Sequence, residues 1–303
     1  MRETKIAVDA ADGVRLRGYV WEPDSSEAEM ALLIVHGMAE HCARYRQFAD
    51  YLSTHGIAVV AYDQRGHGMT GAEDIGFAAE SDGALLRVQD VSAVWSHMRT
   101  RITGVPAVLM GHSMGSFVAR IAAEEMDAAG LILSGTGTDP GFLGTIGRML
   151  AARKAKNAPR EPAADLQNMV FAPNIKPFLP SETAFDWLSR DRDQVRAYIA
   201  DPWCGFVCAA AFFVDLVDLA VRATRASRPD KLAMPVLFAS GEADPVGKMG
   251  RGVRAEYGRL LESGHRDVEM LLYPGARHEL LNETNREEVY RDLAHWMKGL
   301  RKS

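Results

Sequence analysis

Uninterrupted apolar runs recur along this chain, and each gives way to a turn rich in glycine, histidine or acid. Ala31 to Val35, Ile57 to Tyr62, Val105 to Met110 and Leu131 to Leu133 lack the alternation of a half-exposed strand, so each predicts a strand buried on both faces. Between them, Arg44 to Thr54 reads as a crossover helix. From Ala84 to Met98, the apolar positions Ala84, Val88, Val91, Trp95 and Met98 recur at helical spacing. Ahead of these runs, Ile6 to Val8 and the alternating Val14 to Trp21 flank Asp12-Gly13, which predicts an antiparallel hairpin. The resulting β-α-β-α-β order calls for a mostly parallel sheet with helices on both faces.

The pattern breaks after Leu133. From Thr136 to Arg228 no buried strand is evident. Glycine- and proline-interrupted stretches alternate there with helical runs rich in Phe, Met, Leu and Trp. The sheet resumes at Pro235 to Ser240 and at Val268 to Leu272, and Val289, Leu293, Trp296, Met297 and Leu300 mark the apolar face of a last helix. The chain is therefore expected to be α/β, with a core made of residues 1–135 and 229–303 and a largely helical insertion at 136–228.

Composition narrows the function. The 303 residues are 47% hydrophobic and 25% charged, with a net charge of −5, so there is no basic footprint for nucleic acid. The start, Met1 to Lys5, leads straight into a strand pattern without the apolar core of a secretory signal, so a cytoplasmic location is expected. No apolar run approaches the roughly 20 residues that span a bilayer. Peripheral membrane contact through the insertion stays open. Cys42, Cys204 and Cys208 are an odd number, fitting a reducing compartment. Cys204 and Cys208 have no further cysteine or neighbouring histidine in sequence to complete a metal set, so they are expected to be buried thiols.

The chemistry centres on Gly111-His112-Ser113-Met114-Gly115, which joins an apolar run to the helical stripe Met114, Phe117, Val118, Ile121 and Ala122. A serine at such a strand-to-helix junction is held in a strained turn that only flanking glycines tolerate, with its hydroxyl exposed above the sheet. A serine hydroxyl is a weak nucleophile and needs a base, and the base needs an acid to fix its tautomer. Asp244 follows the run ending at Ser240, and His278 follows the run ending at Leu272. The order Ser113, Asp244, His278 is that of the α/β-hydrolase triad. Glu242 is the fallback acid. The amides of Met114 and Met38 are expected to form the oxyanion hole, Met38 lying in the turn after Val35. In that turn His36 and Gly37 border the substrate, the His36 ring being read as a structural group bonded to backbone. Glu40 and His41 are read as organising the loop or the pocket rim. Phe142, Phe206, Phe212 and Phe213 of the insertion are expected to line an acyl site.

These residues resemble α/β-hydrolases of the monoacylglycerol lipase and lysophospholipase type, grouped with the serine aminopeptidase-like hydrolases. His36 to His41 with Arg44-Tyr45 is similar to that family's oxyanion loop. Asp63-Gln64-Arg65-Gly66-His67-Gly68 followed by Thr70 is similar to its D-x-R-G-H-G-x-S segment, with threonine in place of the commoner serine. Gly111 to Gly115, Gly241 to Asp244 and Gly275 to Glu279 match its triad motifs. Phe185 to Asp191 and Asp201 to Phe206 extend the likeness into the insertion. The resemblance implies that Asp63 and Arg65 support the site structurally and that the insertion caps the pocket.

The expected activity is hydrolysis of a small-molecule acyl ester, lipid-like in character, through an acyl-enzyme and without cofactor or metal. An aminopeptidase or a small-ester carboxylesterase would use the same triad. A non-catalytic ligand sensor on the same fold is the alternative of another class.

Overall fold

The computed structural model describes residues 1–24, 27–225 and 231–300. One sheet of eight strands runs through it in the order β1-β2-β4-β3-β5-β6-β7-β8. The strands are β1 (Arg2–Asp9), β2 (Arg15–Glu22), β3 (Met30–Val35), β4 (Ile57–Tyr62), β5 (Ala107–His112), β6 (Gly130–Ser134), β7 (Val236–Gly241) and β8 (Val268–Tyr273). β1 and β2 form the expected hairpin, with Val8 opposite Leu16, and β2 lies antiparallel on β4. From β4 to β8 every pairing is parallel. β3, β4, β5, β6 and β7 are buried along their whole length, which is why their sequences carry no polar alternation.

Helices cover both faces. The first is α1 (Arg46–Ser53), entered through a short 3-10 turn at Cys42–Tyr45, and α2 (Gly83–Arg101) and α3 (Met114–Ala122) follow. Between β6 and β7 come α4 (Gly141–Asn157), α5 (Ala164–Ile175), α6 (Arg192–Ala200) and α7 (Ala210–Arg225). The chain ends with α8 (Arg251–Glu262), on a segment whose sequence pattern had given no helix, and α9 (Arg286–Gly299). One apolar layer joins the sheet to α2, α3 and α7, and the other joins it to α1 and α9. The α1 and α9 layer holds Phe48 against Tyr290.

Among the described residues, the stretch between β6 and β7 carries helices and a single isolated bridge, Pro162 to Ala209. Its last helix, α7, does not stand apart from the core. Phe212, Phe213, Leu219, Ala220 and Ala223 are buried in the same apolar cluster as the sheet and α3. The expected return to the core at residue 229 lies outside the described residues.

Candidate active site

Parallel strands deliver their C-terminal ends to one edge, and that edge is where ligands bind in open α/β sheets. Here β3 ends just before His36, β5 just before Ser113, β7 shortly before Asp244 and β8 shortly before His278. Ser113 has φ 52° and ψ −123°, a left-handed conformation that a side-chain-bearing residue adopts only at a cost. The two flanking glycines permit the close packing around it. A Cβ on Gly111 would fall 2.2 Å from the Gly115 carbonyl oxygen, and one on Gly115 would fall 2.2 Å from the Val35 carbonyl oxygen. The elbow is thus wedged between the end of β3 and the first turn of α3, with Ser113 N–H donating to Ser134 O at 2.9 Å.

His278 Nδ1 lies 3.1 Å and 3.0 Å from the two oxygens of Asp244. Both side chains are buried, and Asp244 also accepts the Val246 N–H at 2.9 Å. A carboxylate at Nδ1 fixes the proton there and leaves Nε2 as the basic nitrogen. Burial disfavours the imidazolium, but the facing Asp244 charge and its hydrogen bond prevail and raise the His278 pKa. Glu242, the fallback acid, is exposed and paired with Arg254, so it does not reach the imidazole. Ser113, Met114, Met38, Gly37 and His278 line a single cavity of about 610 Å³.

The turn after β3 is fixed from every side. Gly37 N–H donates to Glu40 Oε1 at 2.6 Å and Ala39 N–H to His67 Nε2 at 3.2 Å. Between these two committed amides, Met38 N–H has no acceptor among the described residues, as an oxyanion donor requires. His36 is fully buried, Nδ1–H donating to Gly37 O and Nε2 accepting from Gln64 N–H. Burial lowers its pKa and that of His67, so both rings are neutral spacers. His36 therefore does not border the cavity as expected, because both its nitrogens are used to hold the loop.

The phenylalanine assignments need correction as well. Phe142, Phe206, Phe212 and Phe213 do not line the cavity. Phe142 is 78% exposed on the outer side of α4. Phe206 packs its ring edge on His67 at 5.3 Å. Phe212 and Phe213 are buried where α7 meets the core, with the Arg87 guanidinium over the Phe212 ring. The large apolar side chains that the insertion does contribute to the cavity lining include Leu143, Ile146, Met169, Phe171, Leu216 and Val217.

Sequence reading missed the charge network beneath the site. Arg44 forks onto Glu279 at 2.6 Å through each terminal nitrogen and onto Glu40 at 2.9 Å. It ties the oxyanion turn to the residue after His278. Burial opposes ionisation of Glu40, but the Arg44 charge outweighs it and holds the pKa at about 2. The pairing of adjacent Glu279 with a residue 235 positions away leaves no mark in spacing.

Asp63 accepts the N–H groups of Cys42 and Met69, and Arg65 forks onto Asp12 and Asp90, as structural supports would. Thr70 supplies the hydroxyl of that segment, accepting Arg17 N–H at 2.8 Å. The fold also brings a histidine to Cys204. The ligand atoms of His41, Asp201 and Cys204 lie within 4.8 Å of one another. His41 and Asp201 are, however, hydrogen-bonded at 2.9 Å, and burial pushes the Cys204 thiol pKa up, the state of an inert thiol.

Comparison with known proteins agrees with this geometry. The family model described as serine aminopeptidase, S33 matches residues 26–285. A monoacylglycerol lipase of Mycolicibacterium smegmatis is 28% identical over 94% of this chain and 93% of its own length. A monoglyceride lipase of Rattus norvegicus is 29% identical over 94% of this chain and 86% of its own length. The crystal structure of a thermostable carboxyl esterase from Bacillus coagulans superposes with a TM-score of 0.91 at 24% identity, covering 99% of each chain. The fold is that of the α/β-hydrolases, and the chain belongs to the serine aminopeptidase S33 family.

Proposed function

We propose that this protein hydrolyses lipid-like carboxylic esters through an acyl-enzyme, with monoacylglycerols or lysophospholipids as the favoured substrates. The observation that carries the reading is the His278 imidazole clamped on both Asp244 oxygens in the cavity that also holds the strained Ser113. Ser113 Oγ adds to the ester carbonyl carbon while its proton passes to His278 Nε2. Met38 and Met114 N–H hold the negative oxygen, Met114 with the aid of the α3 N-terminus. Collapse breaks the ester bond, and His278 returns the proton to the departing alcohol. Water then repeats the sequence and releases the acid. The relatives named as monoacylglycerol lipases support this substrate class.

The apolar walls of the cavity favour an acyl chain over a peptide. An aminopeptidase must also hold a substrate ammonium, which calls for an acid free of other cations. The acids lining the cavity are Glu40, Glu279 and Asp139, and each already faces an arginine: Arg44 for the first two and Arg225 for the third. In this reading the insertion at 136–228 acts as a cap. Exposed Phe142, Leu143, Met149 and Leu150 on α4 give it an apolar face suited to a membrane surface. No helix among the described residues is long and apolar enough to cross a membrane. The three unpaired thiols accord with a cytoplasmic site of action.

The test is a series of p-nitrophenyl esters below their aggregation limits. Each added methylene buried in the cavity contributes up to about 0.8 kcal/mol, roughly fourfold in kcat/KM, until the space is full. Specificity should therefore climb from acetate towards medium or longer chains. A preference for acetate would contradict the lipid-ester reading.

A further inference from the structure

Trp187 lies in the insertion, in the turn between the 3-10 segment Lys176–Phe178 and α6, yet its ring is 5.1 Å from the His278 ring, centroid to centroid, with the planes at 39°. It is 4% exposed and backed by Phe171 of α5 at 5.6 Å. Its Nε1 is buried with no acceptor among the described residues. Buried indoles usually find one. The ring is therefore kept here for its face rather than for its N–H.

The chain around Trp187 is fastened to the loop that carries His278. Glu279 N–H donates to Leu188 O at 2.8 Å, Ser189 Oγ to Asn282 O at 2.8 Å, and Arg190 N–H and Nε–H to the Glu283 carboxylate. Arg277 N–H donates to the same Glu283, at 2.8 Å. The residues before and after His278 are thus both held through groups that also hold the Trp187 segment. The core elements that place Ser113 and Asp244 need none of these bonds.

We infer that Trp187 is a positioning residue for the catalytic base, closing one side of the His278 ring to water and making its placement depend on docking of the insertion. The inference rests on the hydrolase reading above. The other groups near His278 are Asp244 on Nδ1, Glu279 beside it, Glu40 and Arg44 of the buried network, and His112, whose ring is 4.8 Å away. Burial, aided by the His278 charge, holds the His112 pKa at about 4, so it stays neutral while His278 titrates. The Arg277 guanidinium lies over the Phe178 ring and donates to the carbonyl oxygens of Asp186 and Ser189, a further tie between the His278 loop and the Trp187 segment. Removing the indole therefore changes hydration at His278 without changing any charge beside it.

The experiment compares wild type, Trp187→Phe and Trp187→Ala on a soluble short-chain ester across pH, together with indole emission. An imidazolium quenches an adjacent indole, so the emission that Trp187→Phe removes should fall with pH at the midpoint of the acid limb of kcat/KM. Trp203 lies edge-on to His41 at 5.6 Å, which is why the signal is read as a difference. In Trp187→Ala, water reaches and stabilises the imidazolium, so the acid limb should move up by about half a pH unit. In the same variant kcat should fall about tenfold with KM little changed, whereas Trp187→Phe should keep both near wild type. An acid limb unmoved in Trp187→Ala, or a difference emission that does not titrate, would overturn the proposal. The emission readout needs no turnover. A titration lost in both Trp187→Phe and His278→Gln, in a wild type that hydrolyses no ester, would uphold the contact and overturn the hydrolase reading.

Discussion

Asp244→Asn keeps the shape of the acid but presents an amide to His278 Nδ1, so the imidazole loses the tautomer that leaves Nε2 basic. Turnover should fall on the order of 10⁴ with the thermal midpoint little changed. Glu242→Gln, at an exposed carboxylate paired with Arg254, should stay near wild type. Near-full activity in the first variant and loss in the second would reassign the acid. The raised pKa of His278 gives the pH dependence its sign. In the proposed mechanism the neutral ring is the base, so kcat/KM should be full above that pKa and fall as pH drops through it. The midpoint should lie above the ordinary histidine value of 6.5, and a flat profile through that range would count against the base. The convergence of Ser113, Asp244 and His278 was legible in the sequence because each lies just past or a few residues past an apolar run, and a parallel sheet must bring such positions to one edge. The Arg44 fork was not, because its partners converge only through folding.

At the scale of elements, the elbow and the cavity wall make separate demands. Gly115→Ala places a methyl group 2.2 Å from the Val35 carbonyl oxygen, a contact that neither β3 nor α3 can relieve without moving. It should cost about 3 kcal/mol, read as a lowered midpoint in thermal or urea unfolding. On the cavity side, Ile146→Ala and Leu216→Ala should flatten the climb of kcat/KM with acyl length and leave acetate turnover nearly unchanged. Phe212→Ala should do the reverse. Its ring is 1% exposed in the core, so losing it should cost about 3–5 kcal/mol while the chain-length profile keeps its slope. The contrast follows from what helical periodicity cannot say. The apolar content of α4 and α7 was plain, but it did not disclose which residues face the cavity and which face α3. Phe212 and Phe213 share the apolar pattern of a pocket wall, but they are buried at the junction of α7 with the core.

For the whole molecule, the uninterrupted runs made a parallel sheet with helices on both faces legible. The order in which β3 and β4 exchange places, and the sharing of α7 between insertion and core, were not, because a run reveals burial and not its neighbours. The molecule is held at its active edge by the Arg44 link between the oxyanion turn and the histidine loop. Arg44→Ala would strand two buried carboxylates and should cost about 3–5 kcal/mol. Arg44→Lys should recover little, because an ammonium cannot reproduce the fork. The central claim is that these loops converge to make one nucleophilic serine, and labelling with a serine-directed fluorophosphonate followed by peptide mapping tests it most directly. The account predicts stoichiometric label on Ser113 alone, abolished in Ser113→Ala; label on another residue, or none on the folded protein, would contradict it.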